Sequence, residues 1–312
     1  MSTTPTVIKA KQRPGDRVFS GSAVFAGSMI LVTLAAVALF LIIQSIPALV
    51  ASHEDASILD TNFWEYVGPL VFGTVWAAAL ALLFAVPISI GIALFISHYA
   101  PRRLASVLGY IVDLLAAVPS VVFGLWGIGV LAPAVQPIYS WMVDNLGWFP
   151  LFAGPVSGTG RTILTAGLVL AVMVLPIMTA ICREVFLQTP VLHEEAALAL
   201  GATRWEMIRT AVLPFGRSGI VSAAVLGLGR ALGETMAVAM VLSASGAVTF
   251  KLLTSVNPST IAANIALTFP EAYGMNVNVL IATGLILFIV TFVVNAIARW
   301  IVSRRKEFSG AN

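Results

Sequence analysis

The chain has 312 residues, of which 59% are hydrophobic and only 10% are charged, and its mean hydropathy is +0.98. Soluble domains average about 25% charged residues, so this composition excludes an ordinary soluble protein and indicates an integral membrane protein. The net charge of +3 is small, which argues against a nucleic-acid-binding surface. Cys182 is the only cysteine and the three histidines are scattered, so the sequence predicts no disulfide framework and no metal site.

The first 66 residues predict a cytoplasmic segment, a membrane span and an outer loop. Residues 1–20 are polar and contain four bases, and the uncharged run 20–46 that follows is too long for a signal peptide. We interpret this run as a retained first span. The next segment, 47–66, contains four acids and no lysine or arginine, so the positive-inside rule places it outside the cytoplasm. Residues 21–66 therefore hold the first span and its outer loop.

The rest of the chain, residues 67–303, predicts a core of five further spans. Apolar stretches cover residues 67–97, 105–135, 162–181, 217–245 and 276–302, and a short cytoplasmic tail, 304–312, follows. Every segment rich in lysine and arginine falls on the same side of these spans. The sequence therefore predicts an all-α membrane protein with six transmembrane helices and both termini in the cytoplasm.

The predicted outer loop 136–161 is rich in aromatic residues. It contains Tyr139, Trp141, Trp148 and Phe149 and a single base, Arg161. Tyrosine and tryptophan are enriched where a chain meets the membrane–water interface. Two interpretations remain open, an aromatic belt at the outer interface and a docking site for an external partner.

A polar segment, 190–214, separates two of the apolar stretches and predicts two short helices. Pro190 suits the first position of a helix, and strong helix formers follow it. Gly201 interrupts this helix. Thr203 with Glu206 three residues later forms a capping box that predicts a second helix, which we expect to end at Pro214.

Two opposite charges stand in the predicted fifth span. Arg230 lies near the middle of residues 217–245, and Glu234 follows at a spacing that places both on one helix face. A charge at that depth costs about 2.5 to 3.5 kcal/mol on insertion scales, so each requires a reason. One interpretation is a buried ion pair, with Gly229 and Gly233 forming a seam for helix packing. The other is a pathway for an oxyanion, because the arginine fork matches two oxygens of phosphate and the glutamate accepts a hydrogen bond from the phosphate O–H.

Two motifs carry a resemblance to a known family. Glu195-Ala196-Ala197, Gly201 and Leu213-Pro214 resemble the EAA loop of ABC-importer permeases, the coupling helix that docks onto the ATPase subunit. The run GLGRALGETMAV, residues 227–238, is closely similar to the phosphate-specific permeases, and to the PstC-type subunit in particular. The resemblance covers roughly residues 65 to 300.

The resemblance implies a type I ABC importer permease fold in the bacterial cytoplasmic membrane, with residues 67–303 as its core. It implies a phosphate pathway lined by Arg230, Glu234 and Thr235. It also implies that the coupling loop 190–214 contacts the ATPase through Glu194, Glu195, Ala196, Ala197, Gly201, Leu213 and Pro214. The expected partners are a second, PstA-like permease subunit, two ATPase subunits, an external phosphate-binding protein, phosphate itself and membrane lipid.

The chain is not expected to be an enzyme or to bind a cofactor. None of its four lysines follows a glycine, which excludes the phosphate-binding loop of an ATPase, so ATP and magnesium are expected on the partner subunit. Other oxyanions, such as sulfate, molybdate or phosphonate, remain alternative cargoes. A proton-coupled transporter that titrates Glu234 and a non-transporting membrane scaffold are the two alternatives from other classes.

Overall fold

The structure is a computed structural model that describes residues 14–306, with side chains described as far as Trp300. Residues 1–13 and 307–312 fall outside this range, so three of the four bases predicted for the cytoplasmic N-terminal segment and most of the predicted tail are not described. Within the described range six helices are long and apolar enough to cross a membrane. The prediction of an all-α membrane protein with six spans is therefore confirmed.

Twelve α-helices occur in the described part of the chain, and three of them continue directly into a π-helical turn. Their bounds are α1 Pro14–Leu49, α2 Phe63–Leu94 with the π-turn Phe95–Tyr99, α3 Arg102–Ala116, α4 Ser120–Trp126 with the π-turn Gly127–Leu131, α5 Ala132–Leu146, α6 Ile163–Leu187, α7 Val191–Ala199, α8 Arg204–Met207 with the π-turn Ile208–Val212, α9 Leu213–Leu232, α10 Met236–Val241, α11 Ile261–Thr268 and α12 Met275–Lys306.

The central element is α6, which packs along α2 on one side and α9 on the other. It is the most deeply buried of the candidate spans, because its apolar residues face neighbouring helices nearly all round. Glycines bring the helices close. A β-carbon at Gly167 would lie 2.8 Å from Leu80 Cβ, and one at Gly227 would lie 2.6 Å from Val174 Cγ1. These approaches place α2, α6 and α9 in one tightly packed core.

The first helix lies outside this core. It packs against α12, and a small cluster around Leu59, Phe63 and Val279 fixes the end of the pair where α1 leads toward α2. The side-chain amide of Asn278 donates to the Gln44 carbonyl at 2.9 Å and to the Gln44 side-chain oxygen at 3.1 Å. Most other side chains of α1 are exposed, which leaves an apolar surface suited to lipid.

The predicted third span, 105–135, is wrong because it contains two helices. Helix α3 ends at Ala116, and α4 begins only after Pro119. Proline disfavours the helical conformation of the preceding residue, here Val118, so the apolar run is divided. The helix that can cross the membrane is 120–146, which takes in Tyr139 and Trp141 of the predicted outer loop.

The sequence predicts that the second helix of the polar segment ends at Pro214, but the structure contradicts this prediction. The chain is helical from Arg204 to Leu232, and Pro214 stands in the first turn of α9. The π-turn Ile208–Val212 immediately precedes it. A proline lacks the amide N–H that an α-helix interior requires, and the wider π-turn is the local adjustment through which the helix continues.

Candidate substrate pathway and coupling segment

The fifth span is broken beside the predicted pathway residues. Helix α9 ends at Leu232, where Gly233 closes it with an N–H bond to the Gly229 carbonyl, and α10 begins at Met236. The Glu234 carboxylate accepts the amide N–H of Ala237 at 3.1 Å and so stabilises the start of the new helix. The predicted single helix over 217–245 is therefore wrong. Glycine is a weak helix former, and a nearby carboxylate offers the backbone an alternative hydrogen bond.

Because of this break, Arg230 and Glu234 do not share one helix face. Arg230 stands in the last turn of α9, whereas Glu234 is 9% exposed in the connection to α10. Among the described residues the two side chains form no ion pair. The Nε of Arg230 is buried and has no hydrogen-bond partner within the described chain. A buried ion pair is thus absent, and the arginine keeps a donor that a partner or ligand can satisfy.

The other predicted residues of this region also surround the break. Thr235 is half-buried, and its hydroxyl donates to the Gly233 carbonyl at 3.2 Å. A β-carbon at Gly229 would meet no atom within 4 Å, and one at Gly233 would meet only the Gly229 carbonyl at 3.6 Å. Neither glycine therefore packs against another helix of the described chain. The predicted packing seam is not formed within the described chain, and a role of these glycines in helix packing stays a prediction.

A break of this kind has a chemical consequence in a membrane. Irregular backbone at membrane depth is tolerated where it is buried in protein or lines a water-filled cavity, and discontinuous helices form ion and substrate sites in transporters. Here the break combines exposed backbone groups with a cation and an anion on adjacent segments. Such an arrangement can bind a hydrated or protonated anion without immobilising it through a single strong pair.

The C-terminal end of α10 is held by Arg161, a residue for which the sequence predicted no role in the pathway. Arg161 donates from Nη2 to the Met240 carbonyl at 3.0 Å and from Nε to the Val241 carbonyl at 3.4 Å. A cation at a helix C-terminus is favourable for the same reason that an anion is favourable at the N-terminus. The two ends of α10 are thus fixed by Arg161 and Glu234. That Arg161 is the only base in the loop 136–161 was the one signal available in the sequence.

Arg161 also lines an open pocket of about 490 Å³ on the side of the predicted outer loop. The remaining lining residues come from the π-turn after α4, from α5 and from the loop that precedes α6, and they are Ile128, Pro133, Gln136, Gly158 and Thr159. The pocket therefore adjoins the C-terminal end of α10 through Arg161, and Arg230 is not among the residues that line it.

The coupling segment, residues 190–214, has the bend that the sequence predicts. Gly201 adopts φ +87°, and its N–H donates to the Leu198 carbonyl while the N–H of Ala202 donates to the Ala197 carbonyl. This pair of bonds is the Schellman motif, which requires a left-handed residue and therefore favours glycine. Thr203 and Glu206 form the predicted capping box at the start of α8, which is confirmed.

The surface of the coupling segment is largely exposed and contains apolar side chains. Glu195 and Ala196 are exposed on α7, Ala197 packs against the core, Leu213 is half-buried and Pro214 is exposed. Large apolar side chains with exposures from 43% to 90% surround them, and these are Leu192, Leu198, Leu200 and Trp205. Apolar exposure on a segment between membrane spans marks an interaction surface.

Glu194 differs from Glu195, because it turns toward the membrane helices. Its Oε1 lies 3.4 Å from Nε2 of His98, in the π-turn that ends α2. This contact joins residues 96 positions apart, so no local sequence pattern indicated it.

Among the described residues no cluster of three metal-binding side chains occurs.

Comparison with known proteins decides the family. A family model described as the inner membrane component of binding-protein-dependent transport systems matches residues 85–307. The chain belongs to this family. Members of the family are membrane components of ABC importers, and ATP hydrolysis belongs to separate subunits. This chain is accordingly a multi-pass inner membrane protein that works with an ATPase and a binding protein.

Several proteins of this family are similar to the chain over nearly its whole length. It is 48% identical over 311 residues to the phosphate transport system permease protein PstC 2 of Mycobacterium tuberculosis, with 95% of each chain covered. It is 46% identical to PstC of Mycobacterium leprae, with 93% of this chain and 94% of the relative covered. Against PstC of Mesorhizobium japonicum the identity is 41%, with 95% and 92% covered.

Solved structures of ABC importers share the fold. A bacterial alginate ABC transporter in complex with an alginate pentasaccharide-bound periplasmic protein contains a chain that superposes with a TM-score of 0.63 at 18% identity. The superposition covers 93% of this chain and 95% of that one. A second solved structure, of a bacterial ABC transporter involved in alginate import, gives a TM-score of 0.55 at 18% identity, with 92% of this chain and 99% of that one covered. The fold is that of a type I ABC importer permease.

Proposed function

We propose that this chain is the transmembrane permease subunit of an ATP-driven importer that carries inorganic phosphate across the cytoplasmic membrane, and that Arg230, Glu234 and Thr235 line its pathway. The observation that carries the proposal is the buried Nε of Arg230, which has no hydrogen-bond partner among the described residues and lies beside a break in a membrane helix. A buried donor left unsatisfied costs about 1 to 3 kcal/mol, which an anion on the pathway would restore. The relatives named above are phosphate permeases, which supports this choice of anion.

Selection for phosphate follows from the carboxylate beside the arginine. Arginine offers parallel N–H groups that match two oxygens of an oxyanion. Monohydrogen phosphate also carries an O–H that can donate a hydrogen bond to Glu234. Sulfate at neutral pH has no proton to donate, so the carboxylate repels it. Because Glu234 uses Oε1 for the Ala237 amide, its second oxygen is the acceptor that we assign to phosphate.

The proposed partners follow from membership of the family, and the exposed α7–α8 surface supports one of them. The α7–α8 surface docks on one of two ATPase subunits through Glu195, Ala196 and the apolar side chains around them. A second, PstA-like permease completes the pathway, and an external phosphate-binding protein delivers the cargo. Both termini lie in the cytoplasm. ATP and magnesium bind the ATPase subunits, and this chain binds no cofactor.

Transport proceeds by alternating access. Closure of the ATPase dimer on ATP displaces the coupling segments, and the membrane helices open the pathway outward to receive phosphate. Hydrolysis reverses the displacement and opens the pathway to the cytoplasm. ATP shifts the arrangement of the helices only because one arrangement binds the closed dimer better.

The proposal is tested by uptake of labelled phosphate into cells that lack this chain. Wild type should restore uptake, and Arg230→Ala should abolish it. Arg230→Lys keeps the charge without the planar fork and should restore only part of the uptake. Arg217→Gln, which removes a charge from the exposed cytoplasmic end of the same helix, is the matched control and should transport normally.

Glu234→Gln separates charge from structure at the same site. A glutamine oxygen still accepts the Ala237 N–H, so α10 keeps its start and the chain should insert and assemble. We expect uptake to be abolished because the second carboxylate oxygen, which accepts the phosphate O–H, is replaced by an N–H donor. Unchanged uptake in both Arg230→Ala and Glu234→Gln contradicts the pathway. Competition by sulfate or molybdate against wild type would show a broader oxyanion permease.

A further inference from the structure

A polar contact connects the end of α2 to the coupling segment, and the transport mechanism above assigns it no role. Nε2 of His98 lies 3.4 Å from Oε1 of Glu194, in the first turn of α7. The two side chains are 9% and 22% exposed, so the contact is largely shielded from water. Burial makes an ion or hydrogen-bond contact stronger than it is at a surface.

The chemistry of the two groups fixes the direction of this hydrogen bond. An ionised carboxylate only accepts hydrogen bonds, so Nε2 of His98 is the donor whether the imidazole is neutral or charged. On the other side of the ring, Nδ1 lies 2.6 Å from the hydroxyl oxygen of Ser97. That hydroxyl is itself 2.8 Å from the Ala93 carbonyl of α2. The imidazole is therefore held by its own helix and presents a fixed donor to the coupling segment.

The contact gives the two adjacent glutamates different roles. Glu195 and Ala196 are exposed and remain available to a partner, whereas Glu194 is turned inward to a different membrane helix. The helix that carries His98 packs along α6 at the centre of the core. A displacement of α7 that preserves this hydrogen bond moves the cytoplasmic end of α2 with it.

We propose that His98 is a positioning residue for coupling, and that its contact with Glu194 transmits the movement of the coupling segment into α2. The proposal rests on the proposed function, because it takes α7 as the part that the ATPase moves. Loss of the contact lets α7 move without α2, so ATP is hydrolysed with less cargo carried.

The experiment uses the complete importer in vesicles, with its binding protein, and measures phosphate imported per ATP hydrolysed. His98→Ala should assemble and lower this ratio about fivefold or more, which is the size of a typical coupling between sites. His98→Gln keeps an N–H donor near the position of Nε2 and should restore most of the ratio. Tyr99→Ala removes the adjacent aromatic ring, which is 43% exposed, and is the control expected to match wild type.

A double variant distinguishes transmission through the contact from a general structural defect. Since His98 and Glu194 act through each other, His98→Ala with Glu194→Ala should lower the ratio no further than either change alone. Independent effects that multiply, or a wild-type ratio in His98→Ala, would overturn the proposal. If the wild-type complex hydrolyses ATP without importing phosphate, the proposed cargo fails instead. Stimulation of ATP hydrolysis by the binding protein then tests His98 without reference to the cargo.

Discussion

Neighbouring glycines in α9 face very different surroundings. A β-carbon at Gly227 would lie 2.6 Å from Val174 Cγ1 and 2.9 Å from the sulfur of Met178, both on α6. One at Gly229 would meet no atom within 4 Å. The close approach of α9 to Val174 and Met178 of α6 therefore depends on Gly227, and Gly229 is available to a surface outside the chain.

Alanine substitution at these two positions gives opposite predictions. Gly227→Ala forces α6 and α9 apart and should destabilise the purified chain by about 1 to 3 kcal/mol, as overpacked cores do. Gly229→Ala should leave its thermal unfolding midpoint unchanged or slightly raised, because alanine is the better helix former. Thermal unfolding of both variants in detergent measures the difference, and equal midpoints would contradict the packing that we describe.

The residue chemistry at the proposed pathway was predictable, but its geometry was not. Arg230 and Glu234 stood out because charges within apolar stretches are costly. Their placement on one helix face assumed an unbroken helix, and the break depends on a side chain that bonds the backbone beyond Gly233. The His98–Glu194 contact was beyond any local pattern, because it depends on how α2 and α7 pack.

Elements with local stop and start signals were predicted well. The bend at Gly201 and the capping box at Thr203 involve residues within a few positions of each other, and both are confirmed. The division of the third apolar stretch at Pro119 and the continuation of a helix through Pro214 were predicted wrongly. A proline either ends a helix or is accommodated, and the surrounding packing decides which occurs.

The bend at Gly201 sets the angle between the two short helices of the coupling segment, and we predict that docking depends on it. Gly201→Ala places a β-carbon on a residue at φ +87°, which costs about 1 to 2 kcal/mol, so the two short helices should change their angle. We expect the ATPase subunit to copurify less with this variant, while membrane insertion is unchanged.

Asparagine tolerates the left-handed conformation better than alanine, so Gly201→Asn is the matched variant and should retain more of the ATPase. A steric clash does not confound this comparison, since a β-carbon at Gly201 meets no atom of the described chain within 4 Å. Equal retention of the ATPase by Gly201→Ala and wild type would show that the bend is not needed for docking.

At the scale of the whole molecule, the sequence predicted how many spans there are but not how they pack. Hydropathy and loop charge depend only on composition, and the six spans are confirmed. That α6 lies at the centre while α1 lies outside, against α12, is set by contacts between distant segments. All six stretches are strongly apolar, so their hydropathy does not distinguish a buried helix from one that faces lipid.

The orientation of the chain can be tested with its own cysteine background. Cys182 is the only cysteine and is fully buried, so wild type should not react with a membrane-impermeant maleimide. Gly158→Cys lies in the predicted outer loop and His193→Cys in the coupling segment, and both positions are exposed. We expect Gly158→Cys to react in right-side-out vesicles and His193→Cys only in inside-out vesicles.

The permease is expressed without its ATPase in this experiment, so that docking does not shield residue 193. The expected pattern places α7 in the cytoplasm, where an ATPase can reach it, and the Arg161 pocket on the outer side, where the binding protein arrives. The reverse pattern would place the base-poor loops in the cytoplasm and overturn both docking assignments together. Reaction of both variants in the same vesicles would instead mean that residues 158 and 193 lie on the same side of the membrane. That result contradicts the single crossing by α6 between them.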